Sequence, residues 1–332
     1  MKVFIVGGTG FLGYYTVRVL REHGHEVSTM ALPPLPQEGL LPAEVDVSLG
    51  DYRQMSDGEL ERLIAGCDGL IFAAGVDDRV VPKAPAYPFF YEGNVIATRR
   101  WIRLAKRAGI KRAVIFNSYF ATMDKRWPEL KLAEKHVYIR SRREQISASL
   151  AEAGVDMTVS FLMLPYIFGS MPGRTPLWKP LIAYLNSFLP VLFYPAGGSA
   201  MVSVDEVGQA AVGALEHGEH GCEYEIVAEN LTWKEMIARL LMGVGKRKPV
   251  VILPKFMVRL GGWLVKQYHH ARGLEGGLDL PAFVEVQTRH AYLNPGQARK
   301  ALGYSGADLD EAFRATMLAC VPEKVKEDAA AD

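Results

Sequence analysis

The chain has 332 residues, 49% of them hydrophobic, and its 38 basic and 37 acidic side chains leave a net charge of +1. This near-neutral globular composition carries no overall electrostatic signature of nucleic-acid binding, and the length predicts two domains or one large domain with an appendage. Three cysteines without CxxC spacing indicate neither a disulfide framework nor a zinc site. Because no signal peptide or uninterrupted apolar span is visible, we expect a cytoplasmic protein without a transmembrane segment.

The first predicted elements are a strand at 3–6, the glycine-rich turn GGTGFLG at 7–13 and a helix at 14–23. Glycines permit a tight turn, let a diphosphate approach the backbone and bring the helix close to its strand. The N-terminus of that helix offers unpaired N–H groups and a partial positive charge to phosphates. The sequence therefore predicts a dinucleotide site formed by Gly7, Thr9, Gly10, Phe11, Leu12 and Gly13.

Strands and helices then alternate along residues 25–164. Short apolar runs predict the strands, and periodic patterns that end at glycines predict the helices between them. The strands are expected at 25–30, 45–47, 69–74, 113–116 and 156–164, and the helices near 60–66, at 91–108 and at 130–153. This order is typical of a Rossmann-type, doubly wound α/β fold, whose ligands bind beyond the carboxyl ends of parallel strands.

Past Pro165 the alternation is lost, although 202–207 and 210–215 predict a short strand and a helix that return to the main sheet. We expect a nucleotide-binding domain at 1–165 plus about 202–227, a smaller, mostly helical substrate domain at 166–201 and 228–322, and a disordered tail at 323–332. The basic and apolar segment 255–266 predicts a helix that covers the substrate pocket or the core. The alternative is a helix at a membrane interface, which would give peripheral membrane contact.

Three polar side chains are candidates for catalysis. Tyr138 and Arg142 stand four residues apart on a predicted helix and so share a face, and Ser118 follows a predicted strand end. A phenol has an ordinary pKa of about 10, and a fixed positive charge beside it favours its ionised form. Without further context, such a pair is more often a surface hydrogen bond than a catalytic dyad.

The order and spacing of the motifs resemble the extended short-chain dehydrogenase/reductase family, which includes sugar-nucleotide epimerases, 3β-hydroxysteroid dehydrogenases and dihydroflavonol reductases. The resemblance runs through nearly the whole chain. Its landmarks are GGTGFLG at 7–13, Gly50-Asp51, Ala73-Ala74-Gly75, Asn94, KRAVIFNS at 111–118, YIRSR at 138–142, LPYIFG at 164–169, VSVDEV at 202–207 and NPGQARKALGY at 294–304.

The resemblance implies a role for each matching position. Tyr138 would donate and accept the proton, and Ser118 would bind the substrate carbonyl or hydroxyl. The cofactor would contact Asp51 through its adenine and would also lie against Ala73, Ala74, Gly75 and Pro165. The family's lysine, which binds the nicotinamide ribose and lowers the tyrosine pKa, is Arg142 here. An arginine keeps the charge but cannot relay a proton.

Other positions also depart from the family pattern, namely Val6, Asn117 and Met163. The cofactor is expected to be NAD or NADP. Ala31 and Leu32 supply neither the carboxylate that holds the ribose of NAD nor an arginine for a 2′-phosphate. Because no carboxylate repels a 2′-phosphate there, we slightly prefer NADP.

The function that the resemblance implies is hydride transfer between nicotinamide and a secondary alcohol or ketone. The stretches 177–194 and 256–268 are rich in apolar and aromatic residues, which favours a steroid-, flavonoid- or acyl-like substrate. A sugar-nucleotide epimerase or dehydratase and a non-catalytic NAD(P)-binding sensor or scaffold are the alternatives. The histidine pairs at 217/220 and 269/270 lack a third ligand, so no metal site is expected. The family often dimerises through the helices matching 91–108 and 130–153, which implies a homodimer.

Overall fold

The computed structural model describes residues 1–321, so the tail predicted at 323–332 lies outside the described residues. The first part of the chain contains β1 (Lys2–Val6), α1 (Phe11–Glu22), β2 (Glu26–Ala31), β3 (Asp46–Leu49), α2 (Asp57–Ile64), β4 (Gly69–Phe72), α3 (Tyr87–Phe90), α4 (Ala97–Arg107), β5 (Arg112–Ser118), α5 (Tyr119–Arg126), α6 (Leu132–Lys135), α7 (Val137–Ala153) and β6 (Thr158–Leu164). The later part contains β7 (Tyr166–Phe168), α8 (Lys179–Leu185), β8 (Leu192–Pro195), β9 (Gly198–Ser203), α9 (Val204–His217), β10 (Glu223–Glu225), β11 (Glu229–Thr232), α10 (Trp233–Met242), β12 (Val250–Leu253), α11 (Lys255–His270), α12 (Leu280–Gln287), β13 (His290–Ala291), α13 (Pro295–Leu302) and α14 (Leu309–Cys320).

Seven parallel strands form the central sheet, in the order β10-β6-β5-β4-β1-β2-β3. From β1 the chain builds outwards first through β2 and β3, and then on the other side through β4, β5 and β6. The carboxyl ends of β1 and β4 therefore flank a topological switch point, where such sheets bind ligands. This topology confirms the predicted Rossmann-type α/β fold.

Helices cover both faces of the central sheet. In β1, Phe4 and Val6 belong to the core on one face, and Val3 and Ile5 belong to the core on the other. Trp101 of α4 stacks on Phe4 with ring centroids 5.6 Å apart. A strand buried on both faces must be apolar at successive positions, which explains the uninterrupted hydrophobic runs in the sequence.

The helix predicted at 91–108 is confirmed, but the expectation of uniform α-helical geometry is wrong. The helical path starts earlier, with α3, and passes through a π-helical turn, Tyr91–Ile96, before α4. A π-helical turn shifts the side chains that follow it around the helix axis, and such turns are frequent at functional sites. Asn94 lies within this turn, and its Oδ1 accepts a hydrogen bond of 2.7 Å from the backbone N–H of Val76, just beyond β4.

The prediction of one continuous helix at 130–153 is also wrong. A short 3₁₀ turn, Pro128–Leu130, and α6 precede α7. Lys131 adopts a left-handed conformation with φ of 50°, and His136 is extended with φ of −124°, so each breaks the helical path. As a result α7 begins at Val137, and Tyr138 lies in its first turn.

The strand predicted at 202–207 does not return to the main sheet. It forms as β9, which pairs with β7, β11 and β13 in a separate sheet, and the chain turns helical at Val204. The Ser203 hydroxyl accepts a hydrogen bond from the Glu206 N–H and so caps α9, which ends the strand. β10 supplies the seventh strand of the main sheet by pairing with β6.

The smaller region combines helices with this separate sheet and with a two-stranded sheet of β8 and β12. Its buried residues form a third core, which includes Phe168, Trp233 and Phe313. The segment predicted at 255–266 is helical, as α11, but none of its residues is buried. Its interpretation as a helix that covers the core is therefore wrong, and the alternative that it covers the substrate pocket stays a prediction.

Candidate active site

The glycine loop after β1 has the shape of a diphosphate cradle. Gly7 has φ of 93°, a conformation that favours glycine. A Cβ at Gly13 would overlap the Gly7 carbonyl oxygen, and a Cβ at Gly8 would overlap Thr29. Helix α1 begins at Phe11 without a side-chain cap and without an acidic residue in its first turn, so the positive end of its dipole faces the crevice. These residues fit the diphosphate of a dinucleotide.

The predicted adenosine end of the cleft lies beyond β2 and β3. The N–H of Gly50 donates to the Ala31 carbonyl over 2.9 Å, which holds the loop that follows β3 against the end of β2. Asp51 forms an ion pair with Arg53 at 2.7 Å, and the hydrogen bonds from Arg53 hold the pKa of Asp51 below its ordinary value. Arg53, whose side chain is largely exposed, thus neutralises the negative charge of Asp51.

The predicted catalytic Tyr138 is buried in an aromatic setting. Its ring meets Phe90 and Phe120 edge to face, at centroid distances of 5.7 and 6.4 Å. Its backbone N–H, one of the donors that a first helical turn leaves unpaired, donates to the Gly277 carbonyl over 2.9 Å. The segment between α11 and α12, which contains Gly277, therefore lies directly against the start of α7.

Burial raises the pKa of Tyr138 above its ordinary value, and the Arg142 cation, 5.2 Å from the ring centroid, acts in the opposite direction. Two nearby carboxylates, Asp78 and Asp77, raise this pKa further, whereas Ser118 lowers it. The net effect is upward, so Tyr138 holds its proton at neutral pH. A buried phenol in this state can donate that proton to an oxygen placed beside it.

Ser118 lies where the sequence predicts, at the last position of β5. Its hydroxyl accepts a hydrogen bond from the Phe120 N–H over 3.3 Å and so caps α5. Its own N–H donates to the Asn117 Oδ1 over 2.6 Å. The end of β5 and the start of α5 together fix this hydroxyl on the Tyr138 side of the cleft. There it lowers the pKa of Tyr138.

The Arg142 guanidinium is buried and bound mainly to the protein. It donates to the carbonyls of Val76 and Phe116 over 2.8 and 3.2 Å and to the side-chain oxygen of Gln145 over 3.0 Å. These bonds use both hydrogens of Nη1 and one of Nη2, while Nε is buried without a partner. A Cβ at Gly75 would lie 2.7 Å from Nη1, so only glycine leaves room for the arginine here. Arg142 therefore joins the ends of β4 and β5 and also supplies positive charge beside Tyr138.

An acidic pair that the sequence analysis did not select, Asp77 and Asp78, follows β4. Burial acts to raise the pKa of Asp77, but hydrogen bonds and charge from Arg79, 2.7 Å away, hold it below its ordinary value. Burial and the neighbouring Asp77 raise the pKa of Asp78 to about 6. A carboxyl that titrates near neutrality at the end of a central strand is a functional candidate.

The Asp78 charge reaches three tyrosines, because it raises the pKa of Tyr119, Tyr138 and Tyr166 alike. Tyr119 begins α5, Tyr138 lies in α7 and Tyr166 begins β7, so the charge of Asp78 acts on side chains from three elements. The sequence signal was available, since VDDR follows the buried strand GLIF at the predicted ligand edge. A charged segment such as VDDR is equally typical of a solvated turn. Only the fold shows that it lies at the site.

Aromatic rings form the far wall of the cleft. Tyr166, which follows Pro165, packs against Tyr119 and Trp178 at centroid distances of 6.1 and 5.5 Å. Arg79 lies over the Trp178 ring at 5.6 Å while it pairs with Asp77. Arg79 is therefore already engaged by a carboxylate and a ring.

Comparisons with known proteins agree with this geometry. A family profile described as the NAD dependent epimerase/dehydratase family matches residues 3–227. The chain is 24% identical to a Synechocystis sp. protein assigned as a dihydroflavonol 4-reductase, covering 93% of this chain and 92% of that protein. It is 22% identical to a decarboxylating sterol-4-alpha-carboxylate 3-dehydrogenase of Dictyostelium discoideum, over 92% and 96%. Its fold is similar to a nucleoside-diphosphate-sugar epimerase structure from Pseudomonas aeruginosa, with a TM-score of 0.72, 19% identity and 96% of each chain covered.

Proposed function

Because the chain belongs to the NAD dependent epimerase/dehydratase family, we propose that it is an NAD(P)-dependent oxidoreductase that interconverts a secondary alcohol and a ketone. The observation that carries this proposal is the buried, protonated Tyr138 with the Arg142 cation 5.2 Å from its ring, at the carboxyl ends of the sheet strands. A phenol held in this way can exchange a proton with a substrate oxygen while a hydride moves at the adjacent carbon.

In the direction of ketone reduction, the Tyr138 hydroxyl donates its proton to the carbonyl oxygen. A bound NAD(P)H would supply the hydride for the carbonyl carbon. Ser118 orients the carbonyl by hydrogen bonding, and the positive charge of Arg142 stabilises the phenolate that Tyr138 leaves behind. After reduction the phenolate regains its proton from solvent. In the reverse direction Tyr138 must first lose its proton, and the phenolate then accepts the hydroxyl proton while oxidised NAD(P) would take up the hydride.

We propose an apolar substrate of the steroid, flavonoid or acyl type. Aromatic rings surround Tyr138 and Tyr166, and both Arg142 beside Tyr138 and Arg79 over Trp178 are bound to protein groups. Arg174 and Lys179 keep the sugar-nucleotide alternative open. A nucleotide diphosphate would require basic side chains that are available to pair with its phosphates. The relatives named for a dihydroflavonol and a sterol carboxylate support the same choice.

For the cofactor, we propose NADP in preference to NAD. The glycine loop suits the diphosphate of either, and the two differ at the adenosine ribose. No carboxylate stands at Ala31 or Leu32, and the acidic group beyond β3, Asp51, is already paired with Arg53. The negative charge of Asp51 is neutralised by Arg53, so it would not repel a 2′-phosphate. The exposed Arg53 in the same loop would attract one.

The test of the proposed function is turnover of a panel of apolar ketones and alcohols with NADPH, NADH and their oxidised forms. Tyr138→Phe should lower turnover on the best substrate by about 100-fold or more, because it removes only the proton donor. Tyr87→Phe, which removes a hydroxyl bound to Glu144 outside the cleft, is the matched control and should leave turnover unchanged. Unchanged turnover in Tyr138→Phe would remove Tyr138 from the mechanism.

A sugar-nucleotide epimerase is the second candidate, favoured by the fold similarity to the Pseudomonas aeruginosa structure. Such an enzyme would bind UDP-sugars in calorimetry and regenerate its cofactor in each cycle. The same protein sample can therefore separate the two reactions. Binding of a UDP-sugar together with no net change in cofactor redox state would favour the epimerase. A protein that binds NAD(P) but turns over neither substrate class would instead be the non-catalytic sensor or scaffold.

A further inference from the structure

Helix α11 turns its apolar side away from the rest of the protein. Its three least exposed residues, Val258, Gly262 and His269, lie on one side at helical spacing. Gly262 marks the contact with α12, because a Cβ there would lie 3.1 Å from the Leu280 backbone. The side opposite this contact carries large exposed apolar residues, which we call the α11 face: Phe256, Met257, Leu260, Trp263, Leu264 and Tyr268.

Ordinary amphipathic helices bury such a stripe against the core. Here Phe256 is 70% exposed, and the other members of the α11 face are between 45% and 56% exposed. Val251 and Ile252 of β12, the strand that leads into the helix, are also exposed. A contiguous apolar surface of this kind marks an interaction site.

Ion pairs hold the helix in this orientation. Lys255 and Arg259 both bind Glu285 of α12 at 2.6 Å, and Lys266 binds Asp279, which caps α12. The basic side chains of α11 therefore lie along the edge nearest α12, and the α11 face points away from the protein beside that edge. The ion pairs with α12 thus hold the helix in place while the α11 face stays uncovered.

The chain around the α11 face is rich in basic residues, although Lys255 and Arg259 are paired with Glu285 and Lys266 with Asp279. Residues 236–274 contain eight lysines and arginines and no aspartate or glutamate, in a chain whose net charge is only +1. Three of the eight, Lys246, Arg247 and Lys248, directly precede β12. Apolar, Trp and Tyr side chains bordered by lysine and arginine match the boundary between the acyl chains and anionic headgroups of a bilayer.

We propose that the α11 face docks this protein on the surface of a membrane that contains anionic phospholipid. The helix lies in the plane of the interface, with the α11 face in the acyl-chain boundary and the basic side chains at the headgroups. A second copy of the chain fits the face less well, because a symmetric contact would bring two basic stretches together. Within residues 1–321 no helix is both long and apolar enough to cross a bilayer, so docking is peripheral.

This proposal stands apart from the proposed reaction, because docking needs neither substrate nor cofactor. The two are nevertheless close in the structure. The last turn of α11 and the segment after it border a cavity of about 410 Å³, lined among others by His269 and Gly277. Gly277 also binds the backbone of Tyr138.

The test is cosedimentation of the full-length protein with vesicles of phosphatidylcholine alone or with about 30% phosphatidylglycerol. We expect binding to the anionic vesicles at least about tenfold stronger than to neutral ones, and weaker binding as salt rises. The double variant Leu260→Asp/Leu264→Asp should abolish binding. The control Val155→Asp, at a fully exposed apolar residue on the loop between α7 and β6, should bind like the wild type.

Further measurements distinguish membrane binding from misfolding of the variants and from dimerisation. All variants should keep the wild-type circular dichroism spectrum and melting temperature, since each replaces an exposed side chain. Trp263 should report insertion, with a blue-shifted fluorescence on anionic vesicles that Trp263→Phe loses while still sedimenting. The proposal is overturned by absent vesicle binding, by equal binding of the double variant, or by a dimer in light scattering that the double variant disperses.

Discussion

Arg142 and Asn117 donate to the same acceptor, the side-chain oxygen of Gln145, each over 3.0 Å. Both residues are departures from the family pattern, and the structure joins them in one buried network. Asn117 also donates to the Arg142 carbonyl, and Gln145 donates onwards to Thr98 over 2.8 Å. The arginine is therefore accommodated by its neighbours, and replacing it alone leaves several buried acceptors unsatisfied.

Arg142→Lys should consequently destabilise the protein and not restore a better enzyme. A lysine has three donors on one atom and cannot reach the carbonyls of Val76 and Phe116 together with Gln145. We expect the free energy of unfolding to fall by about 1–3 kcal/mol, measured by urea denaturation. Turnover should fall as well.

The matched control is Arg140→Lys, two residues earlier, where an exposed arginine pairs with Glu144. This change should be nearly neutral, because exposed ion pairs contribute little to stability. If Arg142→Lys instead gained activity at unchanged stability, the arginine would be what silences the site, as expected for a sensor or scaffold.

Gly13→Ala should weaken NAD(P) binding by about tenfold or more, because the new Cβ meets the Gly7 carbonyl and pushes α1 away from the loop. Calorimetric titration with the cofactor measures the effect. Gly10→Ala should have a smaller effect, since its Cβ would lie 3.2 Å from the same oxygen. Gly58→Ala, in α2 with open space around it, should bind like the wild type. Equal binding by all three variants would place the diphosphate elsewhere.

Asp78→Asn should lower the pKa of Tyr138, because the ionised Asp78 raises it. Alcohol oxidation requires Tyr138 to lose its proton, so its rate should rise with pH around this pKa. We expect the midpoint of that rise to move to lower pH in the variant, as read from kcat/KM against pH.

The control for this shift is Asp156→Asn, which removes an exposed carboxylate paired with Lys106. Its pH profile should superimpose on that of the wild type. A midpoint that does not move in Asp78→Asn would show that the charge of Asp78 does not reach the reacting phenol.

How much of this arrangement the sequence could predict depends on the range of the interactions involved. The loop at Gly7 and the strand end at Ser118 follow from local patterns, because glycine geometry and apolar runs are properties of neighbouring residues. The interruptions of the helix at Lys131 and His136 do not follow from local patterns, because neither lysine nor histidine is a helix-breaking residue type. His136 is held by a backbone donor 143 residues away, the N–H of Asp279.

Asp78 illustrates the same limit for the site. Its position after β4 is visible in the sequence, but its raised pKa depends on burial in the folded protein as well as on the neighbouring Asp77. The outward orientation of α11 is equally non-local. Its apolar spacing predicts a buried stripe, and only the pairing of its basic residues with Glu285 and Asp279 of α12 explains why the stripe faces outwards.

His136 should make stability depend on pH. Burial lowers its pKa from 6.5 to about 4, so the folded protein keeps it neutral while the unfolded chain takes up a proton below pH 6.5. The stability that it contributes is therefore lost as the pH falls, by about 2 kcal/mol between pH 7 and pH 5. In His136→Gln the amide oxygen can still accept the Asp279 N–H but does not titrate.

Urea denaturation at pH 7 and pH 5 measures the effect as the difference between the two proteins. On acidification the wild type should lose about 2 kcal/mol more than His136→Gln, because every other titrating group, Asp78 included, is common to both. His217→Gln, at an exposed histidine, should follow the wild type. Parallel pH dependence of wild type and His136→Gln would mean that His136 is not held neutral, and that its contact with Asp279 does not require the neutral ring.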